Sequence, residues 1–128
     1  MGAKRTMALP VSAPFHCALM RPAADAMEYA LDQVTVNAPV VPVVANVLAK
    51  PISDPTEIKK RLVEQVTDMV RWTECVSWLA GEGGVTQLVE LGAGKVLSGL
   101  AKRITPETAA LSIGTAADVD SFLAEIGA

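Results

Sequence analysis

Short apolar runs alternating with amphipathic helical stretches predict an α/β protein, with a parallel sheet and helical crossovers. Three observations carry this. Val40–Val47, Thr86–Leu91 and Ala109–Ile113 are compact runs rich in Val, Leu and Ile. Between them, apolar residues recur at three- and four-residue spacing. Glycine and proline punctuate the joints, at Asn37-Ala38-Pro39, Gly81 to Gly84, Gly92-Ala93-Gly94 and Thr105-Pro106.

The elements follow in order. Ala8–Val11 reads as a short strand, with Pro10 suited to an edge or strand end. Pro14 biases Ala13 away from helix, so a turn precedes His16. A helix is expected over Met20–Val34, with Leu19, Ala23, Met27, Ala30 and Val34 on one face and Pro22 in its first turn. Val40–Val47 is continuously apolar, as in a strand buried on both faces of a parallel sheet, with Pro42 at its start or at a bulge. Ser53-Asp54-Pro55-Thr56-Glu57 is a helix start: Asp54 caps, Pro55 occupies the first helical position and Glu57 the third. Ile58, Leu62, Val66 and Met69 mark its buried face. A further helix runs from Thr73 to Ala80, with Trp72, Val76 and Leu79 in line, and is stopped by the glycines after it.

Thr86–Leu91 is then a buried strand and Gly92-Ala93-Gly94 a tight turn. Val96–Arg103 is a helix and Ala109–Ile113 another strand. Thr115 caps a last helix whose face is Val119, Phe122, Leu123 and Ile126. Four strands beginning almost at the first residue look like the later part of a larger sheet.

Composition narrows the classes. The chain has 128 residues, 51% hydrophobic and 20% charged, enough for one domain with a core. A net charge of −3 with no aromatic-interleaved basic patch speaks against nucleic acid. Lys4-Arg5, Lys59-Lys60-Arg61 and Lys102-Arg103 are short basic clusters, either solvated surface or a face for an acidic partner. No apolar run has membrane-spanning length, and no signal peptide opens the chain, so a cytoplasmic protein is expected. Cys17 and Cys75 form no CxxC and there is one histidine, so no metal site is expected.

Gly92-Ala93-Gly94-Lys95 invites a phosphate-loop reading, but the spacing fails. Val89 stands where the first glycine belongs, and Val96 where Ser or Thr is needed. A dinucleotide fingerprint fails at Leu97. A tight strand-to-helix turn remains, or a turn whose amides line a ligand cleft. Asp25, Glu28, Asp32, Glu57 and Glu64 read as solvated surface. Glu90, in a buried strand, either faces a cleft or pairs with a basic residue. None of Ser12, Ser53, Ser77, Ser98, Ser112 and Ser121 lies in a Gly-x-Ser-x-Gly elbow. His16, the lone histidine, is a candidate general base with no nucleophile to serve. Cys17 adjoins it, but adjacent side chains rarely meet in nucleophile–base geometry.

The run Pro10-Val11-Ser12-Ala13-Pro14-Phe15-His16-Cys17-Ala18-Leu19-Met20-Arg21-Pro22-Ala23 resembles the malonyl-CoA:acyl carrier protein transacylase family. The resemblance continues through Asn37-Ala38-Pro39, Pro42 to Val47, Val70-Arg71-Trp72-Thr73 and Glu90-Leu91-Gly92-Ala93-Gly94-Lys95-Val96-Leu97-Ser98-Gly99-Leu100-Ala101-Lys102-Arg103-Ile104. It covers nearly the whole chain in order, against enzymes more than twice as long. Ala93 stands where the family commonly has proline.

The resemblance implies the C-terminal part of a parallel-sheet, α/β-hydrolase-like acyltransferase domain over residues 1–128. That part lacks the N-terminal half and most of the family's ferredoxin-like subdomain; Lys4 to Leu9 matches only the tail of that subdomain. It implies S-malonyl transfer in fatty acid biosynthesis, with malonyl-CoA and acyl carrier protein as substrate and partner and no cofactor. His16 is then the general base, and the backbone carbonyl of Gln65 orients its Nδ1–H. The family's serine elbow, its carboxylate-binding arginine and an oxyanion-side glutamine have no counterpart in this sequence. By itself the chain is therefore expected to be incompetent, and its open sheet edge to favour self-association or pairing with a missing N-terminal half. The alternative is a non-catalytic module that docks acyl carrier protein through Lys4, Arg5, Lys102 or Arg103.

Overall fold

The structure, a computed structural model, describes Thr6, Ala8 and residues 11–127. Leu9 and Pro10 of the expected first strand, together with Lys4 and Arg5, lie outside the described residues.

A 3-10 turn at Ala18–Met20 leads into helix α1, Arg21–Asp32. Pro22 sits in the first turn of α1, where a missing N–H leaves no helical bond unmade. Ala24 is fully buried, and the main packing partner of α1 is helix α2, Pro55–Glu64. Lys59 Nζ ties the two together by donating to the Val34 carbonyl at 2.7 Å.

Strand β1, Val43–Ala45, pairs antiparallel with β2, Lys50–Ile52, in the register Val43↔Ile52 and Ala45↔Lys50. The intervening turn closes on the Ala45 carbonyl, which accepts from Leu48 N–H at 3.0 Å and Ala49 N–H at 2.7 Å. This corrects the expectation of a long doubly buried parallel strand over Val40–Val47. Val40 is 103% and Val41 70% exposed. Pro42 immediately precedes the strand, as expected, and has no N–H to extend a ladder backwards. A β-branched run reports fitness for a pleated surface, not which partner strand will cover it.

The start of α2 is as expected. Asp54 Oδ1 accepts from Glu57 N–H at 2.8 Å and Pro55 follows the cap. Arg61 pairs with both Glu57 and Glu64 along one side of the helix. Met69, expected on the buried face, is exposed because α2 stops at Glu64.

Helix α3, Trp72–Ala80, buries Cys75 and Val76. Strand β3, Gln87–Leu91, helix α4, Val96–Ile104, and strand β4, Ala109–Ile113, form a parallel β-α-β unit, in register from Gln87↔Ala109 to Leu91↔Ile113. Helix α5, Ala116–Ile126, closes the described chain. Among the described residues the parallel sheet is therefore two-stranded, not four-stranded, and β1–β2 is a separate hairpin.

The core has two centres. One gathers Val76, Cys75, Ser98, Ala101 and Ile113 between α3, α4 and the β3–β4 sheet. The other gathers Ala24, Ala45 and Ile58 around α1, α2 and the hairpin. A cavity of about 190 Å³ remains beside the first, lined by Trp72, Val76, Leu88, Leu97 and Ala101 among others; the Trp72 Nε1 is buried with no hydrogen-bond partner among the described residues. The faces expected to be buried are partly open: Leu91 is 79% exposed, and Val119, Leu123 and Ile126 of α5 are all exposed. Among the described residues no helix is long and apolar enough to cross a membrane.

Candidate active site

Two distant segments meet at His16. Its Nδ1 lies 2.9 Å from the carbonyl oxygen of Gln65, across 49 positions of sequence. A carbonyl oxygen has no proton to give, so Nδ1 carries the hydrogen and donates. In the neutral ring Nε2 then holds the free lone pair, the form a proton acceptor needs.

Gln65 supplies its carbonyl because of where α2 ends. It is the C-cap of that helix, and its own N–H donates to Arg61 O at 3.1 Å. The turn that follows collects on the neighbouring carbonyl instead. Glu64 O accepts from Thr67 N–H and Asp68 N–H, both at 3.1 Å, and from Thr67 Oγ1 at 3.3 Å. Gln65 O is left with His16 as its partner among the described residues. It is one of the unpaired acceptors at the negative end of α2.

His16 is exposed and its backbone is left-handed, with φ 55°. Such a conformation in a non-glycine residue costs on the order of 1–3 kcal/mol and clusters at functional sites. Cys17 does not face the imidazole as a nucleophile. Its Sγ–H donates to the Pro14 carbonyl at 3.0 Å. Cys75 is buried, and burial pushes its thiol above the ordinary cysteine range, which keeps it protonated and unreactive.

The turn after β3 also has a definite role. Gly92 and Gly94 adopt φ of 126° and 106°, which a side chain would resist. Glu90, at the end of β3, reaches forward over this turn. Its carboxylate accepts from Leu97 N–H at 3.1 Å and Ser98 N–H at 2.8 Å. These amide bonds, that to Ser98 foremost, hold its carboxyl below the usual range. Of the two expectations for Glu90, the cleft is met, since it helps to line the cavity of about 190 Å³ beside α3 and α4, while its carboxylate binds backbone amides rather than a basic residue. Two of the amides at the N-terminus of α4 already hold a carboxylate from the chain itself, which argues against a phosphate cradle there. The signal was an acid placed before a glycine turn and a helix lacking a capping side chain: the cap residue, Lys95, makes no side-chain cap bond.

Asp118 plays a similar part in the next turn. Its Oδ2 accepts from Gly114 N–H at 3.0 Å and Thr115 N–H at 2.9 Å, while Thr115 Oγ1 accepts from Asp118 N–H at 3.2 Å. The Thr115 contact, with the two backbone amides, keeps the Asp118 carboxyl low.

The sequence and fold have clear relatives. Malonyl CoA-acyl carrier protein transacylase of Salmonella typhimurium is 45% identical over 124 residues, 97% of this chain and 40% of that protein. Its counterpart in Escherichia coli K12 is 52% identical over 103 residues, 80% of this chain and 33% of that protein. The crystal structure of acyl-carrier-protein-S-malonyltransferase from Bartonella henselae superposes with a TM-score of 0.88 at 52% identity, covering 99% of this chain and 40% of that one. The chain matches part of the malonyl CoA-acyl carrier protein transacylase family. It spans about 40% of the length of the first of these relatives. The fold is accordingly a portion of that acyltransferase domain. Another similar structure is a malonyl-transacylase in complex with a type II PKS acyl-carrier protein, at TM-score 0.84 and 43% identity, covering 97% of this chain and 40% of that one. No protein-family model matches the chain.

Proposed function

We propose that this chain is the general-base portion of a malonyl-CoA:acyl carrier protein S-malonyltransferase, with His16 as the base and the Gln65 carbonyl as its orienting acceptor. The 2.9 Å contact between His16 Nδ1 and Gln65 O carries this reading, because it fixes the tautomer that a base requires. The relatives, by their names, support the malonyl and acyl carrier protein specificity.

In this reading a serine outside the 128 residues approaches Nε2. The ring takes the hydroxyl proton as the serine oxygen bonds to the thioester carbon of malonyl-CoA. The carbon–sulfur bond breaks, and the ring returns the proton to the departing coenzyme A thiol. The phosphopantetheine thiol of acyl carrier protein then gives its proton to the ring, attacks the malonyl-serine ester and leaves with the malonyl group. The serine recovers the proton. The transient imidazolium forms facing the carbonyl end of α2. No cofactor takes part. A cytoplasmic setting belongs to the same reading.

None of the chain's six serines occupies a nucleophile elbow. The 128-residue polypeptide alone is therefore expected to transfer no malonyl group. Joined to a serine-bearing upstream half it is expected to be active, and His16→Ala there to lower transfer by about 10²- to 10⁴-fold. The measurement is malonyl transfer from labelled malonyl-CoA to carrier protein. Undiminished transfer by the alanine variant removes His16 from the mechanism.

A further inference from the structure

His16 keeps a left-handed backbone, φ 55°, and a non-glycine residue does so only where its surroundings over-determine it. Three short-range bonds bracket the residue. Phe15 N–H donates to Ala13 O at 3.0 Å, and Met20 N–H donates to Cys17 O at 2.9 Å. These two are backbone bonds that most residue types could make. The third is different: Cys17 Sγ–H donates to Pro14 O at 3.0 Å, and it needs a donor on the side chain at position 17. This bond spans Phe15 and His16 and closes the turn around them.

We propose that Cys17 is a positioning residue for His16. Its thiol holds the Pro14 carbonyl, the turn stays closed, and the imidazole stays on Gln65 O. The proposal rests on the reading of His16 as the base, and it gives the adjacent thiol a part without making it a nucleophile. Cys17 is half-buried at the surface rather than in either core centre, so the donor can be removed without opening a core void. Alanine removes the donor. Serine keeps one.

His16 is the sole histidine, so in a ¹⁵N-labelled chain its two ring nitrogens give the only imidazole signals. At alkaline pH the unmodified chain is expected to show a protonated Nδ1 and a bare Nε2. In Cys17→Ala both signals are expected to move toward the averaged values of a free imidazole, while Cys17→Ser retains the unmodified pattern. In the enzyme completed by its upstream half, Cys17→Ala is expected to lower kcat about three- to tenfold, the effect of one lost hydrogen bond. KM for malonyl-CoA is expected to stay unchanged, and Cys17→Ser to restore kcat. An alanine variant with the unmodified nitrogen pattern overturns the proposal, and so does a serine variant that behaves like alanine. If circular dichroism shows the alanine variant unfolded, the serine variant decides: the unmodified pattern supports the role and an averaged one ends it. The nitrogen pattern is read without acyl transfer. It can therefore fail while His16→Ala still abolishes transfer, or hold while His16 proves dispensable.

Discussion

Glu90 illustrates how one side chain can join two elements. Its carboxylate leaves the end of β3 and satisfies two amides at the start of α4. Helix starts have unpaired N–H groups and a partial positive charge, so a carboxylate there is doubly favoured. Because the folded carboxyl is held below its ordinary range, its stabilisation is complete above about pH 4.3 and is lost as pH falls through the lowered folded value. Glu90→Gln keeps one acceptor and loses the charge. It is expected to be the less stable chain near neutrality, with the gap closing as acid is added. Denaturation midpoints of both chains between about pH 3 and 7 measure this. A gap independent of pH would show that the charge contributes nothing. At the same scale, His16 was legible from its solitude and its neighbours. Its partner was not legible from spacing, because 49 positions separate it from Gln65 and a backbone carbonyl leaves no mark on residue identity.

At the scale of elements, local chemistry was the readable part. Asp54-Pro55 and Thr115 with Asp118 write their caps within four residues, and both helices begin where those residues place them. Ala109–Ile113 is likewise the strand its composition predicts. The hairpin of β1 and β2 was not readable: Lys50-Pro51-Ile52 has neither alternation nor β-branched density to announce a strand. The helix pair α1–α2 matters most for the site. His16 leads into α1 and Gln65 ends α2, so their packing sets the distance between the His16 ring and the Gln65 carbonyl. Ala24, fully buried on α1, permits the close approach. Ala24→Leu is expected to cost about 1–3 kcal/mol by overpacking and to push the helices apart. Urea titration gives the first quantity, and the His16 ring nitrogens report the second by losing their protonated-Nδ1 pattern. An unaltered ring pattern in a folded Ala24→Leu chain would show that α1–α2 packing does not hold the contact.

At the scale of the molecule, the open apolar surface stands out. Val11, Val40, Val41, Met69, Leu91 and Val96 are all exposed, and the two-stranded β3–β4 sheet has both outer edges unpaired among the described residues. Parallel strands are ordinarily covered on both faces and flanked by further strands. The chain spans about 40% of the first curated relative it matches, and in the Bartonella henselae structure the same fold lies within a chain of which it makes up 40%. The isolated polypeptide is expected to self-associate, with an apparent mass in light scattering that rises with concentration. Val40→Glu with Leu91→Lys is expected to restore the monomer. A monodisperse monomer at high concentration in the unmodified chain would show that this surface does not drive association.

The amino-acid sequence determined the caps, the turn glycines, most helix boundaries and the choice of His16 as the candidate base, because each depends on residues a few positions apart. Tertiary structure alone decided that Val40 and Val41 face outward and that Glu90 caps α4, and it put the Gln65 carbonyl, which only the family resemblance had pointed to, at 2.9 Å from His16. Those outcomes depend on which distant surfaces meet. A valine or a carboxylate encodes a preference for burial or for a donor, and the fold supplies the neighbour that satisfies it or leaves it open.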